Sequence, residues 1–195
     1  MSYILHIDGD AFFAACEALR RRDLQGKAFV VGEDRGIVVA MSYEAKALGI
    51  DRSYPIYKLK VDFPHVPVVS SHFELYSQIS DRCFAILKRF FSRVERCGID
   101  ECFVEVEERY NDSLEELLQS VQDVLRNELG ISYSLGIGRT KTLAKLASKR
   151  SKPNGRSICR ESDEDYFLET TPLEKIWGVG RALTPQLYLL GLRTA

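Results

Sequence analysis

The stretch Gly98–Val106 places two adjacent carboxylates, Asp100 and Glu101, at the start of an alternating run that is typical of a β-strand. Neighbouring side chains on a strand point to opposite faces, so this pair can share a cation only if the backbone turns or a third ligand approaches. The apolar run Tyr3–Ile7 ends in Asp8-Gly9-Asp10 and supplies such a ligand. Two strands side by side, with acids at the same level, would form an oxygen-rich site suited to Mg²⁺. From spacing alone, a solvated turn is the commoner explanation of an acid pair.

The length and composition predict a globular protein with a sizeable core. The chain has 195 residues, 45% of them hydrophobic and 28% charged. It has no apolar run of the roughly 20 residues that span a bilayer and no signal-peptide pattern at its start. We therefore expect a cytoplasmic protein without a membrane partner. The 5 cysteines lack CxxC spacing, which predicts reduced core residues rather than zinc ligands or disulfides.

The charge is unevenly distributed along the chain, although its net value is only −1. Between Arg139 and Arg160 the sequence has many basic residues and no acid. Such a segment is typical of a surface that binds phosphate. A solvated basic helix face explains it equally well.

The hydrophobic periodicity predicts a small α/β segment over residues 11–70. A helix begins at Ala11, and short strands are expected within 26–32 and 36–41. A short helix follows, with Ser42 as its N-cap.

The second half of the chain predicts longer elements. Two amphipathic helices begin at capping-box patterns, at Ser71 and Ser113, and Gly130 ends the second helix. A strand over 131–138 and a basic helix over 140–150 follow. The fold class is therefore α+β, with two helices on one face of a mostly antiparallel sheet.

Several motifs occur together and in a fixed order along the chain. In sequence and spacing they resemble the Y-family translesion DNA polymerases over essentially the whole chain. The stretches Glu44–Gly49, Ser70–Tyr76 and Thr140–Ala147 look most like the DNA polymerase V branch, and DNA polymerase IV is also similar. The motifs are Asp8-Gly9-Asp10-Ala11-Phe12-Phe13-Ala14, Tyr43-Glu44-Ala45-Lys46, Gly98-Ile99-Asp100-Glu101, Leu143-Ala144-Lys145-Leu146-Ala147-Ser148, Lys152-Pro153-Asn154-Gly155 and Trp177-Gly178-Val179-Gly180.

The resemblance implies a domain organisation. Residues 1–10 and 72–158 would form a catalytic palm with a ferredoxin-like βαββαβ-type sheet, and residues 11–71 a small α/β fingers domain. Residues 159–195 would begin a helical thumb with a helix-hairpin-helix. Relatives continue into a little-finger domain that is absent here, so we expect a natural truncation or a fragment with weak DNA binding.

The resemblance also implies low-fidelity, template-directed DNA synthesis during repair of DNA damage in the SOS response. Asp8, Asp100 and Glu101 would hold two Mg²⁺ ions, with the Gly9 carbonyl as an extra ligand. Asp10 is a further candidate ligand, but a helix N-cap or structural acid is at least as good an explanation. His6, on the same strand face as Asp8, is expected to be a satisfied strand residue.

The substrates implied are a dNTP and primer-template DNA. Tyr43, Lys46 and Lys145 would contact the triphosphate. Phe13 would exclude a ribose 2′-hydroxyl, and Phe12 would pack beneath the sugar or base.

The DNA itself would be held by backbone and basic groups. Lys152 and Arg181, with the amides of Gly178 and Gly180, would grip DNA phosphates. A sliding clamp could bind through the C-terminal region that is missing. Two other functions stay open: a non-catalytic DNA-repair accessory module and a palm-fold nucleotidyl cyclase.

Overall fold

The computed structural model describes residues 3–195 and has the α+β architecture that the sequence predicts. Its strands are β1 (Tyr3–Gly9), β2 (Val30–Val31), β3 (Ala40–Met41), β4 (Val68–Val69), β5 (Val94–Arg96), β6 (Glu101–Val106), β7 (Tyr133–Gly138) and β8 (Arg156–Ile158). Its α-helices are α1 (Phe12–Arg20), α2 (Tyr43–Ala47), α3 (Ile56–Asp62), α4 (Phe73–Leu87), α5 (Leu114–Leu129), α6 (Lys141–Arg150), α7 (Glu164–Glu169) and α8 (Thr184–Leu189).

A five-stranded sheet with the order β5-β6-β1-β7-β8 forms the centre of the fold. The central strand β1 is antiparallel to both of its neighbours, whereas β7 and β8 at one edge of this sheet pair in parallel. The register of β1 and β6 places Asp8 directly opposite Glu101. The prediction of two neighbouring strands with acids at the same level is confirmed.

One face of this sheet packs against α4 and α5, as the sequence predicts. Leu5, Ile7, Val104 and Leu135 point into this side and belong to one apolar core with the buried residues of both helices. Burying each such side chain contributes about 1.5–3 kcal/mol. This face therefore supplies most of the driving force for folding the sheet.

The opposite face of the sheet packs against α6 at very short range. A Cβ atom added to Gly136 would lie 2.1 Å from the backbone nitrogen of Ser148 and 2.3 Å from the carbonyl oxygen of Ala144. Gly138 is similarly close to Leu143. Glycine is needed because the helix backbone lies directly on the strand. Side chains of α6 thus reach the residues of β1 and β6.

A smaller sheet, in the order β3-β2-β4, lies in the segment between β1 and α4. Its strands have two residues each, which is shorter than the sequence predicts. The chain leaves β2 at Gly32, whose φ is 131°, and makes a 3₁₀ turn at Glu33–Arg35. The predicted N-cap of α2 is confirmed, because the Ser42 side chain accepts a hydrogen bond from the Ala45 amide.

The two predicted capping boxes are wrong, although the helices that they introduce are present. Ser71 donates its amide and hydroxyl to the distant carboxylate of Asp34, and His72 is the N-cap of α4 without a side-chain cap. Ser113 makes no cap bond either, because its backbone (φ −135°, ψ 36°) is outside the usual N-cap region. Gly130 ends α5 in a left-handed conformation, as predicted.

The C-terminal part contains α7, α8 and single turns of 3₁₀ helix. After the turn that contains Gly178 and Gly180, the chain forms one short helix, α8, and Leu189 and Leu190 are exposed. Within residues 3–195, no helix is long and apolar enough to cross a bilayer. Four cysteines are buried as expected, whereas Cys97 is exposed.

Candidate functional site

The ends of β1 and β6 bring three carboxylates to one place. Asp8 lies opposite Glu101, and the Gly9 amide donates to the carbonyl oxygen of Asp100 at 3.0 Å. All three acids line a cavity of about 740 Å³. The strand register therefore assembles the acids that the sequence singled out.

The cavity extends from the acids to basic and aromatic side chains of other elements. Tyr43 and Lys46 of α2 line one side, and Lys149, Lys152 and Arg181 line another. A site with acids at one end and cations around it fits a metal-bound polyphosphate. The full lining is Asp8, Gly9, Ala11, Ala40, Met41, Ser42, Tyr43, Lys46, Asp51, Arg52, Asp100, Glu101, Lys149, Lys152 and Arg181.

Lys152 approaches the acids from the cavity. Its ammonium donates to Asp8 Oδ1 and to the Gly9 carbonyl oxygen, the latter at 3.3 Å. Two of the predicted metal ligands thus already converge on one cation. Asp8 Oδ1 and the Gly9 carbonyl oxygen thus both face one positive charge, as ligands of a bound cation would.

Two of the three acids, Asp8 and Asp100, have pKa values above their usual range. Burial raises the pKa of Asp8, although Lys152 opposes the shift. Burial, followed by the nearby charge of Asp8, raises the pKa of Asp100 to about 6. Like charges and desolvation both disfavour the ionised forms, so a bound cation would stabilise the cluster.

Glu101 differs from the other two acids because it has a cation behind it. Burial alone would raise its pKa, but the ammonium of Lys145, with Nζ 2.8 Å from Oε2, brings the pKa below its usual value. The Lys145 side chain is only 9% exposed. Lys145 does not line the cavity, so the structure places it apart from the position expected for a triphosphate contact.

His6 is buried beside this ion pair. His6 Nδ1 lies 2.7 Å from Ser148 Oγ, and the same hydroxyl lies 3.0 Å from the Lys145 carbonyl oxygen. The other nitrogen, Nε2, lies 3.5 Å from Glu101 Oε2 and has no well-formed hydrogen bond among the described residues. Burial lowers the pKa of His6 to about 4. The expectation of a satisfied strand residue holds for Nδ1 only.

His6 also bears on the metal chemistry of the cluster. Ligand atoms of His6, Asp8 and Glu101 lie within 4.8 Å of one another. With Asp100 and the Gly9 carbonyl on the same cavity, the donor set is rich in hard oxygen atoms. It fits a divalent metal ion.

Asp10 is a structural acid rather than a cavity ligand. Its carboxylate accepts from Ser134 Oγ at 2.8 Å and from the Asn154 amide at 2.7 Å, with Tyr43 Oη at 3.4 Å. It is buried and absent from the cavity lining. The alternative of a helix N-cap is wrong, since Ala11 precedes α1 and no side chain caps it.

Phe12 and Phe13 lie beside the cavity, not in its lining. Phe12 is buried in the core. The half-buried ring of Phe13 stacks on Tyr76 with centroids 4.4 Å apart, and Phe73 packs edge-on against it. Tyr76 is held by a hydrogen bond to the buried carboxylate of Glu17 at 2.6 Å.

Some residues that line the cavity were not predicted from the sequence. Lys149 lies one helical turn after Lys145, so its spacing could have placed it on this side of α6. Asp51 and Arg52 had no such signal. Among the predicted DNA contacts, Lys152 and Arg181 reach the cavity, whereas Gly178 and Gly180 are exposed on the turn before α8.

The basic segment between Arg139 and Arg160 is less free to bind phosphate than its sequence predicts. Arg139 pairs with Glu161 and Glu164. Further ion pairs join Lys141 to Glu95, Lys145 to Glu101, Lys152 to Asp8 and Arg160 to Glu115. Lysines at the cavity, rather than the whole segment, are the candidate phosphate ligands.

Comparison with known proteins agrees with this geometry. Residues 7–149 match the sequence model of the impB/mucB/samB family. The chain is 38% identical to DNA polymerase IV of Corynebacterium diphtheriae, over 98% of this chain and 44% of that protein. It is 35% identical to DNA polymerase IV of Desulfatibacillum aliphaticivorans, over 98% of this chain and 49% of that protein. The chain thus spans about half the length of these relatives.

Solved structures show the same likeness. DinB from Sulfolobus solfataricus superposes with a TM-score of 0.89 at 28% identity, over 98% of this chain and 58% of that one. An insertion ternary complex of Dbh DNA polymerase gives a TM-score of 0.91 at 27% identity, with the same coverage. A chimera described as a Y-family DNA polymerase also gives 0.91. The relatives named here are of the DNA polymerase IV type, so the polymerase V branch stays a prediction.

Proposed function

The chain belongs to the impB/mucB/samB family, and on that premise we propose that it carries the catalytic part of a Y-family DNA polymerase. It would transfer a nucleotide from a dNTP to a primer 3′-hydroxyl opposite a template, with low fidelity and in translesion repair. The observation that supports this most directly is the cluster of Asp8, Asp100 and Glu101 at the acidic end of a cavity with basic walls.

Two Mg²⁺ ions are the proposed cofactor, with Asp8, Asp100, Glu101 and the Gly9 carbonyl as ligands. The fit rests on the oxygen-rich donor set and on the way Asp8 and Gly9 already bind the ammonium of Lys152. When bound, such ions activate the primer hydroxyl and stabilise the pyrophosphate leaving group. With a pKa of about 6, Asp100 is mostly ionised at pH 7 and available as a ligand.

The triphosphate would lie against the basic walls of the cavity. Tyr43 and Lys46 reach it from one turn of α2. We assign Lys152, rather than Lys145, as the lysine that faces the phosphates, because Lys152 lines the cavity and Lys145 is enclosed behind Glu101. Phe13 would exclude the 2′-hydroxyl, with Tyr76 as the ring that supports it.

The domain roles follow the same proposal. The five-stranded sheet with α4, α5 and α6 would be the palm, the segment with the small sheet the fingers, and residues 159–195 the start of the thumb. DNA phosphates would meet Arg181 and the amides of Gly178 and Gly180. A cytoplasmic location and a sliding-clamp partner stay predictions of the sequence.

Primer extension tests the proposal. A labelled primer-template is incubated with dNTPs and Mg²⁺ at low salt, with the wild-type chain, Asp100→Asn, and Asp123→Asn as a control acid on the exposed side of α5. Loss of a metal ligand removes several kcal/mol of transition-state stabilisation, so Asp100→Asn should extend about a thousandfold more slowly. Asp123→Asn should match the wild type.

Each alternative predicts a different result in the same experiment. Undiminished extension by Asp100→Asn would overturn the metal assignment. DNA binding without extension by the wild type would identify an accessory module. A cyclic nucleotide formed without template would identify a cyclase.

A further inference from the structure

Lys145 lies on the interior side of Glu101, away from the cavity, and has no role in the proposed chemistry. Lys145 Nζ lies 2.8 Å from Glu101 Oε2, and the side chains are 9% and 22% exposed. Glu101 also lines the cavity. One oxygen of this carboxylate is thus held from inside the protein, while the residue faces the cavity.

The position of Lys145 is fixed on several sides. Its helix lies directly on Gly136, and its carbonyl accepts from Ser148 Oγ at 3.0 Å. The centroid of the Trp177 ring lies 4.9 Å from Nζ, and this ring packs against Phe103 at 5.6 Å between centroids. An ammonium that is held in this way can orient its partner, because little rotamer freedom remains to either side chain.

His6 makes this lysine more important to Glu101. The histidine Nε2 lies 3.5 Å from the same oxygen, which is too far for a strong hydrogen bond. Lys145 supplies the donor that this buried oxygen needs. Without it, Oε2 would lose its close donor in a partly buried position.

We propose that Lys145 is a positioning residue for Glu101: it holds Oε2 from the interior, and so directs the other carboxylate oxygen to the metal position at the cavity. This inference rests on the proposed function, because it takes Glu101 as a metal ligand. Lys145 and Lys152 then have different roles, since Lys152 meets Asp8 from the cavity side.

The direct test is Mn²⁺ binding to the full chain, without nucleotide or DNA, measured by the electron paramagnetic resonance signal of free Mn²⁺. Lys145→Met keeps the length of the side chain but removes the donor. Loss of a hydrogen-bond partner that orients a metal ligand typically costs 10–100-fold in affinity. We expect Mn²⁺ to bind at least about tenfold more weakly.

Lys149→Met is the matched control, because it removes the same charge one turn later on α6. Its ammonium acts on Asp8 and Glu101 through space, and no hydrogen bond to Glu101 is found among the described residues. Loss of a nearby positive charge alone favours cation binding, so this variant should bind Mn²⁺ equally or more tightly. If Lys145→Met behaves like Lys149→Met, Lys145 acts only as a charge and the proposal is wrong.

Two further variants separate the failure of this inference from failure of the proposed function. Glu101→Gln should weaken Mn²⁺ binding; if it does not, Glu101 is not a ligand and the metal assignment itself fails. If Glu101→Gln weakens binding but Lys145→Met does not, only the positioning role is refuted. Lys145→Arg keeps the charge and should recover part of the affinity.

Circular dichroism establishes whether Lys145→Met folds. If it does not, Lys145→Arg carries the test against the wild type, since both have the same net charge. The guanidinium cannot place one nitrogen as the ammonium does in this enclosed position, so Mn²⁺ binding should still weaken. Unchanged binding by Lys145→Arg would then overturn the proposal.

Discussion

The two faces of the five-stranded sheet are built from the same strands but have opposite characters. On β1, Leu5 and Ile7 point to the apolar core, whereas His6 and Asp8 point to the side of α6. On β7, Leu135 is a core residue and the adjacent Gly136 lies against α6. One face stabilises the fold by burying apolar area, and the other buries polar groups for chemistry.

On the polar face, most of the buried polar atoms form hydrogen bonds with one another. His6 Nδ1 bonds Ser148, Lys145 pairs with Glu101, and Asp10 accepts from Ser134. An unsatisfied buried polar group costs about 1–3 kcal/mol, so this side tolerates few substitutions. Glycine in β7 brings the helix close enough for these bonds.

The largest expected effect comes from closing the space between α6 and the sheet. In Gly136→Val, the new Cβ would clash with the backbone of Ser148 and Ala144, so α6 must move away from β7. The free energy of unfolding in urea should fall by about 4 kcal/mol. Gly180→Ala, where nothing lies within 4 Å, is the control and should change little. A small loss in Gly136→Val would show that α6 is not seated on this strand.

A somewhat smaller loss of stability is expected for a substitution on the apolar face, at Leu135, which precedes Gly136 in β7. Leu135 is fully buried, so Leu135→Ala leaves a cavity and should lower the free energy of unfolding by about 3 kcal/mol. Mn²⁺ affinity per folded molecule should be unchanged, because the side chain points away from the acids. Weaker Mn²⁺ binding by the folded variant would mean that the two faces are not independent.

The smallest effect has the opposite sign. The pKa of Asp100 is about 6 in the folded chain, above its usual value of 3.8, so the ionised carboxylate destabilises the fold above that pH. With a chelator present, Asp100→Asn should raise the free energy of unfolding at pH 7.5 by about 1–2 kcal/mol, allowing for partial exposure to solvent.

The stability gained by Asp100→Asn should depend on pH, and this dependence is the control for its cause. As the pH falls through 6, the folded wild type takes up the proton first and gains the same stability. The difference between the two proteins should therefore disappear by about pH 4, near the pKa of the unfolded chain. A gain that persists at pH 4 would have another cause.

The sequence was sufficient for the central strands and their acids because both signals are local. Alternation along β1 and β6 predicts the strands, and a carboxylate at the end of each predicts where they meet. Gly130 and Ser42 were also read correctly, since the conformations they adopt depend on neighbouring residues.

The features that the sequence did not predict depend on partners that are distant in the chain. Asp34 takes the hydrogen bonds of Ser71, and Asn154 completes the shell of Asp10, a separation of 144 residues. The same limit applies to Lys145 and Lys152, since the pairing of Lys145 with Glu101 and the position of Lys152 in the cavity depend on residues far away in the chain. No periodicity within the sequence carries that information.

The central place of β1 also determines when the acid cluster can form during protein synthesis. Its partners are β6 and β7, so β1 has no neighbour until residues up to Val106 have been made, and only one until Gly138 has been made. At typical rates of translation this takes on the order of ten seconds or more. During that interval an apolar strand with at least one open edge is exposed, and chaperones that hold nascent chains would act on it first.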